Sequence, residues 1–122
     1  MFENLLYWDF GLFLLRLAVA AVFLYHGAPK LKKYKAMSAG TGMPAPMVLG
    51  LGAAESLAAL GLIFGAQVQA SAFLLSAVMV GAIYYKKFKW GIPFSAPDKT
   101  GWEFDLILLA ANLAILFTGG GA

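Results

Sequence analysis

The chain contains no cysteine. That excludes a disulfide framework, a thiolate metal site and the dithiol relay of quinone-linked disulfide-forming membrane enzymes. Histidine is nearly as scarce: His26 stands alone, so a haem held by two histidines cannot form within one chain. No glycine-rich nucleotide fingerprint is present, and no metal-ligand pattern either. Charge is sparse. Only 12% of the 122 residues are charged while 61% are hydrophobic, against about a quarter charged in a soluble domain. Much of the surface must therefore face something other than water, and one domain is expected at this length. Positive charge is also missing from the amino end, which carries Glu3 and Asp9 before its first basic residue, Arg16. A secretion signal opens basic, so this end reads as a permanent helix.

What the chain has instead is four apolar segments, each near the roughly 20 residues that span a hydrocarbon core. They run over residues 10–27, 46–65, 68–85 and 102–118, with only Ala66-Gln67 between the second and third. Lipid offers the backbone no hydrogen-bond partner, so the segments should be helices. They show no polar/apolar alternation and are too long for strands. The expectation is an all-α integral membrane four-helix bundle. Gly61/Gly65 and Ala77/Gly81 have the small-residue spacing that lets helices approach closely in lipid. A faint repeat, Phe13-Leu14-Leu15 with Phe73-Leu74-Leu75 and Ala53-Ala54-Glu55 with Ala110-Ala111-Asn112, suggests two repeated helical hairpins.

The net charge of +3 comes from eight lysines in two of the connections: Lys30, Lys32, Lys33 and Lys35, then Lys86, Lys87, Lys89 and Lys99. With four crossings these connections share a side. The positive-inside rule places them in the cytoplasm and both termini outside, in the cell (inner) membrane. The lysines are topology signals first, with anionic headgroups as a secondary partner, and no nucleic-acid role is expected.

The residues that carry chemistry are the ionisable ones inside or beside the spans. Arg16 and Glu55 fall near the middles of two antiparallel spans and are expected to face each other. An ionised group at the bilayer centre costs on the order of 3 kcal/mol or more unless it is paired. The pair reads either as a fixture of helix register or as the polar floor of a ligand site. His26 and Lys30 end the first span; Trp102, Glu103 and Asp105 open the fourth at the same end. Trp102 suits an interfacial belt, and acids at a helix amino end suit its dipole. Taken functionally, Arg16, His26, Lys30, Glu55, Glu103 and Trp102 would line one polar cavity running from the lysine-rich surface to the midplane. An imidazole, an acid and the aromatics Tyr25, Tyr84, Tyr85 and Trp90 at that level would suit the head of a quinone. That reading requires His26 and Glu103 on one face and a centre not filled by Leu and Phe.

Three stretches resemble the DoxX family of small four-helix membrane proteins, which includes the DoxD-like subunit of thiosulfate:quinone oxidoreductase. They are Leu14-Leu15-Arg16-Leu17 leading to Phe23-Leu24-Tyr25-His26-Gly27-Ala28-Pro29-Lys30-Leu31, then Glu55-Ser56-Leu57-Ala58-Ala59-Leu60-Gly61-Leu62, and Gly101-Trp102-Glu103-Phe104 with the closing Thr118-Gly119-Gly120. The resemblance spans nearly the whole chain. Where many members close with Gly-Pro-Gly and a polar tail, this sequence reads Gly119-Gly120-Gly121-Ala122. The resemblance implies a membrane oxidoreductase or one of its subunits, with quinone or a partner subunit bringing the electrons. The alternative is a non-catalytic accessory or assembly subunit of a larger membrane complex.

The absence of native cysteine makes the orientation directly testable. Single cysteines at Ser38 and Thr100 should react with an impermeant thiol reagent only after the cytoplasm is opened. Cysteines at Asn4 and Gly121 should react in intact cells. The reverse pattern would reject the orientation.

Overall fold

The computed structural model describes residues 8–95 and 97–120, the side chains of residues 8 and 9 excepted; Glu3, Gly121, Ala122 and the Asp9 side chain lie outside the described residues. The described chain is all-α: α1 (Trp8–Lys32), α2 (Tyr34–Thr41), α3 (Ala45–Phe64), α4 (Val68–Tyr84), which widens into a π turn at Tyr85–Lys89, and α5 (Trp102–Thr118). Three of these are long and apolar enough to cross a membrane: Phe10–Lys32, Ala45–Phe64 and Val68–Lys89. With 17 residues, α5 spans about 25 Å.

Two departures from the expected four helices share a cause. The His-Gly-Ala-Pro run at 26–29 reads as a helix end, yet α1 passes through Pro29 to Lys32. Proline removes one backbone donor, but the helix resumes at once, with the Lys33 N–H donating to the Pro29 carbonyl. The connection that follows folds into the short α2, which ends on Gly42 in the left-handed conformation and buries no residue.

The four long helices form a closed ring in which α1 packs on α3, α3 on α4, α4 on α5 and α5 on α1. The heaviest contacts are α1 with α3 and α4 with α5, so the chain associates as two antiparallel pairs. Small side chains sit inside: Ala20, Ala58, Ala59 and Ala72 are buried, while Phe13, Leu57, Phe64, Phe73, Val80, Ile107 and Phe117 point out. Larger side chains such as Phe23, Leu62 and Leu75 are buried too. So many large apolar groups on the outside nonetheless suit a surface solvated by lipid, and the buried alanines allow the close backbone approach that packing in lipid uses.

That approach is closest between Gly27 and Gly52. A Cβ on Gly52 would lie 2.7 Å from the Lys30 Cβ and 3.0 Å from both the Gly27 carbonyl and the Leu31 nitrogen; one on Gly27 would meet Ser56 Oγ at 2.8 Å. The small-residue spacings noted in the sequence behave differently. Gly61 faces Ser71 of α4 and does pack, Gly65 caps α3 with φ 71°, and Gly81 has nothing within 4 Å.

These contacts predict an asymmetry. Gly52→Ala must push α1 away from α3 and should lower stability in mild detergent by about 1–3 kcal/mol. Gly50→Ala, on the open side of the same helix, should be neutral or stabilising by about 0.5–1 kcal/mol. Equal effects in a thermal unfolding series would show that α1 and α3 do not cross at Gly52.

Candidate functional site

One stripe of each long helix faces the interior. On α1 it is Arg16, Ala20, Phe23, Gly27 and Lys30; on α3 it is Val48, Gly52, Glu55, Ala59 and Leu62; on α5 it is Asp105, Leu108, Asn112 and Ile115. All follow the i+3/i+4 spacing of a helix face. At the lysine-rich end the stripes diverge around a cavity of about 440 Å³. Phe23, Val48, Met79 and Leu108 form apolar walls, and Met37, Thr41 and Met43 of α2 and its exit close the end. The Trp90 indole N–H donates to the Thr41 carbonyl at 2.9 Å and ties α2 over the cavity to the π turn. The exposed small residues Ala77 and Gly81 form an edge facing outward from α4.

Two ion pairs and the histidine supply the cavity's polarity. Lys30 Nζ donates to both oxygens of Glu55, at 2.6 and 2.9 Å. Glu55 is 1% exposed, and Lys30, nearer the surface, reaches down to it along its aliphatic stem. Lys86 Nζ lies 2.7 Å from Asp105 Oδ2, but out of alignment for a hydrogen bond, so that buried oxygen accepts none among the described residues. His26 lies among Lys30, Lys86 and Asp105. It packs against the rings of Tyr25 and Phe104, at 5.3 and 5.4 Å between centroids. An ammonium has three donors. Lys30 therefore keeps one beyond Glu55, Lys86 makes no aligned hydrogen bond among the described residues, and both lysines line the cavity with His26. Chemically the arrangement favours an apolar body carrying hydrogen-bond-accepting oxygens at one end. Among the described residues no three His, Asp or Glu side chains are grouped to hold a metal ion.

Three of the six residues singled out in the sequence meet here: His26, Lys30 and Glu55. The other three lie elsewhere. Arg16 does not pair with Glu55. It sits against Gly65 at the far end of α3, because the α1–α3 crossing at Gly27 and Gly52 sets Lys30, and not Arg16, level with Glu55. Fourteen residues separate it from Lys30, about 21 Å along the helix, so Glu55 can serve only one of them. The space between is filled by Phe23, Leu62, Leu75 and Ile115, all fully buried, with Asn112 as an isolated polar side chain among them, so among the described residues no continuous polar track runs to Arg16. Glu103 is exposed on α5; two residues is about 200° of helix, so Asp105 takes the inner position and Glu103 the outer. Trp102 stacks edge-on against Phe94 at 4.6 Å, outside the cavity. Of the four interfacial aromatics, Tyr85 and Trp90 line the cavity while Tyr25 and Tyr84 are exposed. Asp105 was findable: Leu108, Asn112 and Ile115 mark the inner stripe, and Asp105 falls on it.

A double-mutant cycle distinguishes the two possible partners of Glu55. Lys30→Met or Glu55→Gln alone should cost roughly 3–5 kcal/mol, since each leaves a charge without its partner. The two changes together should recover about 2 kcal/mol of the added single effects. Arg16→Met combined with Glu55→Gln should be additive. Coupling of Glu55 to Arg16 in unfolding measurements would overturn the observed register.

The family model for DoxX matches residues 11–87, which takes in the first two of the resembling stretches and leaves out the one at 101–104. An uncharacterized protein of Haemophilus influenzae is 30% identical over 118 residues, covering 95% of this chain and 88% of that one. No solved structure matches. With apolar helices long enough to cross a bilayer and a family match over more than half its length, the chain is a membrane protein that belongs to the DoxX family.

Proposed function

We propose that the protein is the membrane subunit of an oxidoreductase system and holds a quinone, or a similar lipophilic molecule with an oxygen-bearing head, in the cavity at its lysine-rich end. In this reading the chain is one domain that crosses the inner membrane four times, lysine-rich end in the cytoplasm. The single observation that carries the ligand reading is the joining of apolar walls to unspent donors in one cavity: Lys30, Lys86 and His26 at one end, Phe23, Met79 and Leu108 along the sides. Its volume falls within the roughly 300–1,000 Å³ typical of small-molecule sites. Four methionines, Met37, Met43, Met47 and Met79, line it, and their flexible thioethers adapt to a ligand body.

When bound, a quinone would supply the two-electron, two-proton chemistry that no residue of the chain provides. The chain's own residues hold and protonate. Lys30 and Lys86, one from each helix pair, are placed to donate to head oxygens. His26, beside both, is the group suited to pass a proton near neutral pH. Ala77 and Gly81, exposed and on the cavity's edge, leave an entrance from the lipid side. The electrons come from a partner subunit. The reading is narrower than the one drawn from the sequence, whose two conditions fail: Glu103 faces away from His26, and the bundle centre is filled by Phe23, Leu62, Leu75 and Ile115. The track through Glu103 to Arg16 is therefore abandoned, and the ligand is confined to the lysine-end cavity, with the accessory role as its direct rival. The accessory-subunit alternative draws on a specific observation of its own: each buried carboxylate among the described residues, Glu55 and Asp105, already has a lysine beside it, so the acids of the cavity need no ligand to neutralise them.

Purification from native membranes in mild detergent, followed by solvent extraction, decides between them. About one quinone per chain is expected from the unaltered protein. Gly81→Leu projects into open space, so the fold should tolerate it while the entrance fills; Lys86→Met with Asp105→Asn removes one donor without leaving a bare charge. Gly81→Leu should lower retained quinone by filling the entrance, and Lys86→Met with Asp105→Asn should lower it roughly tenfold, the scale of one lost charged hydrogen bond. Tightly held partner subunits with no quinone would reject the ligand reading in favour of the accessory role.

A further inference from the structure

At the end away from the lysines, the turn between α3 and α4 frames a second, more open depression of about 490 Å³. Its lining includes Arg16, Gly65, Gln67, Val68, Gln69 and Ala70, and two features of it converge. The first is the amino end of α4. Gln67 precedes the helix in a left-handed conformation, φ 52°, no side chain caps the helix and its first turn holds no acid. The backbone ladder begins with the Ser71 N–H donating to the Gln67 carbonyl. The N–H groups of Val68, Gln69 and Ala70 therefore have no partner among the described residues, as a helix amino end requires of its first donors unless they are capped. The second feature is Arg16 itself. It is 8% exposed, it lines the same depression, and its Nε is buried without a hydrogen-bond partner among the described residues. Gly65 and Gly120, both at positive φ, leave room for it: a Cβ on either would lie about 3 Å from the arginine side chain, at 3.1 and 2.9 Å.

We infer that Arg16 and the uncapped amino end of α4 form a site for a phosphate group. Backbone N–H groups at a helix amino end, reinforced by its dipole, are a ready receptor for a tetrahedral oxyanion, and a guanidinium matches two of its oxygens at once. The opposing field is weaker. The carboxyl ends of α3 and α5 also approach here, at Gly65 and Gly119, each worth about half a negative charge. Among the described residues, the full charge of Arg16 together with about half a positive charge from α4 leaves a positive balance. The phosphate can be the headgroup of a phospholipid in the adjoining leaflet, whose chains would run past the exposed Phe64 on the rim, or a free phosphate from solution. The site is separate from the lysine-end cavity and stands whether or not that cavity binds a quinone.

The test uses the delipidated full chain in mild detergent, with thermal unfolding and native mass spectrometry as readouts. Inorganic phosphate is titrated against chloride at matched ionic strength, and phosphatidylglycerol is compared with a phosphate-free galactosyl diacylglycerol. A response to phosphate and to phosphatidylglycerol is the expected result; a response to phosphatidylglycerol alone assigns the site to the headgroup. In either case Gln69→Glu, an exposed change that places a carboxylate at the amino end of α4, should weaken binding roughly tenfold. Arg16→Gln should do the same if it folds, while lipid held by the lysines at the other end is untouched by either change. No response in the unaltered protein, or an undiminished one in Gln69→Glu, overturns the inference. A response that appears only after Glu3→Gln with Asp9→Asn would name the chain's own carboxylates as the occupant and overturn the phosphate assignment.

Discussion

A carboxylate in the middle of an apolar helix has to be neutralised, and the way Glu55 is neutralised sets the geometry of everything around it. Glu55 is almost wholly buried and takes both hydrogen bonds from one ammonium, that of Lys30. Left unpaired within lipid it would cost on the order of 3 kcal/mol or more. The pair can close only where α1 and α3 nearly touch, and the facing glycines Gly27 and Gly52 allow that approach. One ionic contact and one backbone crossing thus fix the α1–α3 register. The register in turn sends Arg16 to the opposite end of α3 and leaves His26 level with the amino end of α5, where its ring meets Phe104.

The second helix pair repeats the logic with less symmetry. Lys86, carried on the π turn that ends α4, lies beside Asp105 one turn into α5. Each pair of helices thereby brings one lysine from the surface to one buried acid, and the space between the two ion pairs is the cavity. Deeper in, the ring closes on Phe23, Leu62, Leu75 and Ile115, so the open half and the packed half meet near the level of Glu55. The many large apolar side chains left outside follow from the solvent: lipid is as apolar as leucine, so they need no burial, whereas the alanines buried between the helices let backbones approach.

Much of this was legible in the sequence. Length and hydropathy place α3, α4 and α5 to within a residue or so, because each is bounded by glycine, proline or a polar turn. The lysine clusters, the helical class and the resemblance to the DoxX family were legible too, and His26, Lys30 and Glu55 could be picked out as ionisable groups in costly places. What was not legible is register. Proline after His-Gly-Ala reads locally as a stop, but α1 runs through it and carries Lys30 on the same helix. The crossing at Gly27 and Gly52, which no hydrophobic period marks, sets that lysine and not Arg16 level with Glu55. Glu103 and Asp105 differ only by which side of a helix they occupy, which depends on the stripe the neighbours bury. The short α2 has no buried residue and so leaves no hydrophobic period to find.

The identity of the group that neutralises Glu55 is therefore the point on which the account stands. Solid-state NMR of the protein in bilayers, with glutamate labelled at its carboxyl carbon and lysine or arginine labelled at the side-chain nitrogens, measures it without mutation. A strong dipolar coupling between Glu55 and the Lys30 nitrogen, consistent with the 2.6 Å contact, and none to Arg16, is the result predicted here. A coupling from Glu55 to the Arg16 guanidinium would contradict it, and with it the register, the cavity and the placing of Arg16 at the amino end of α4.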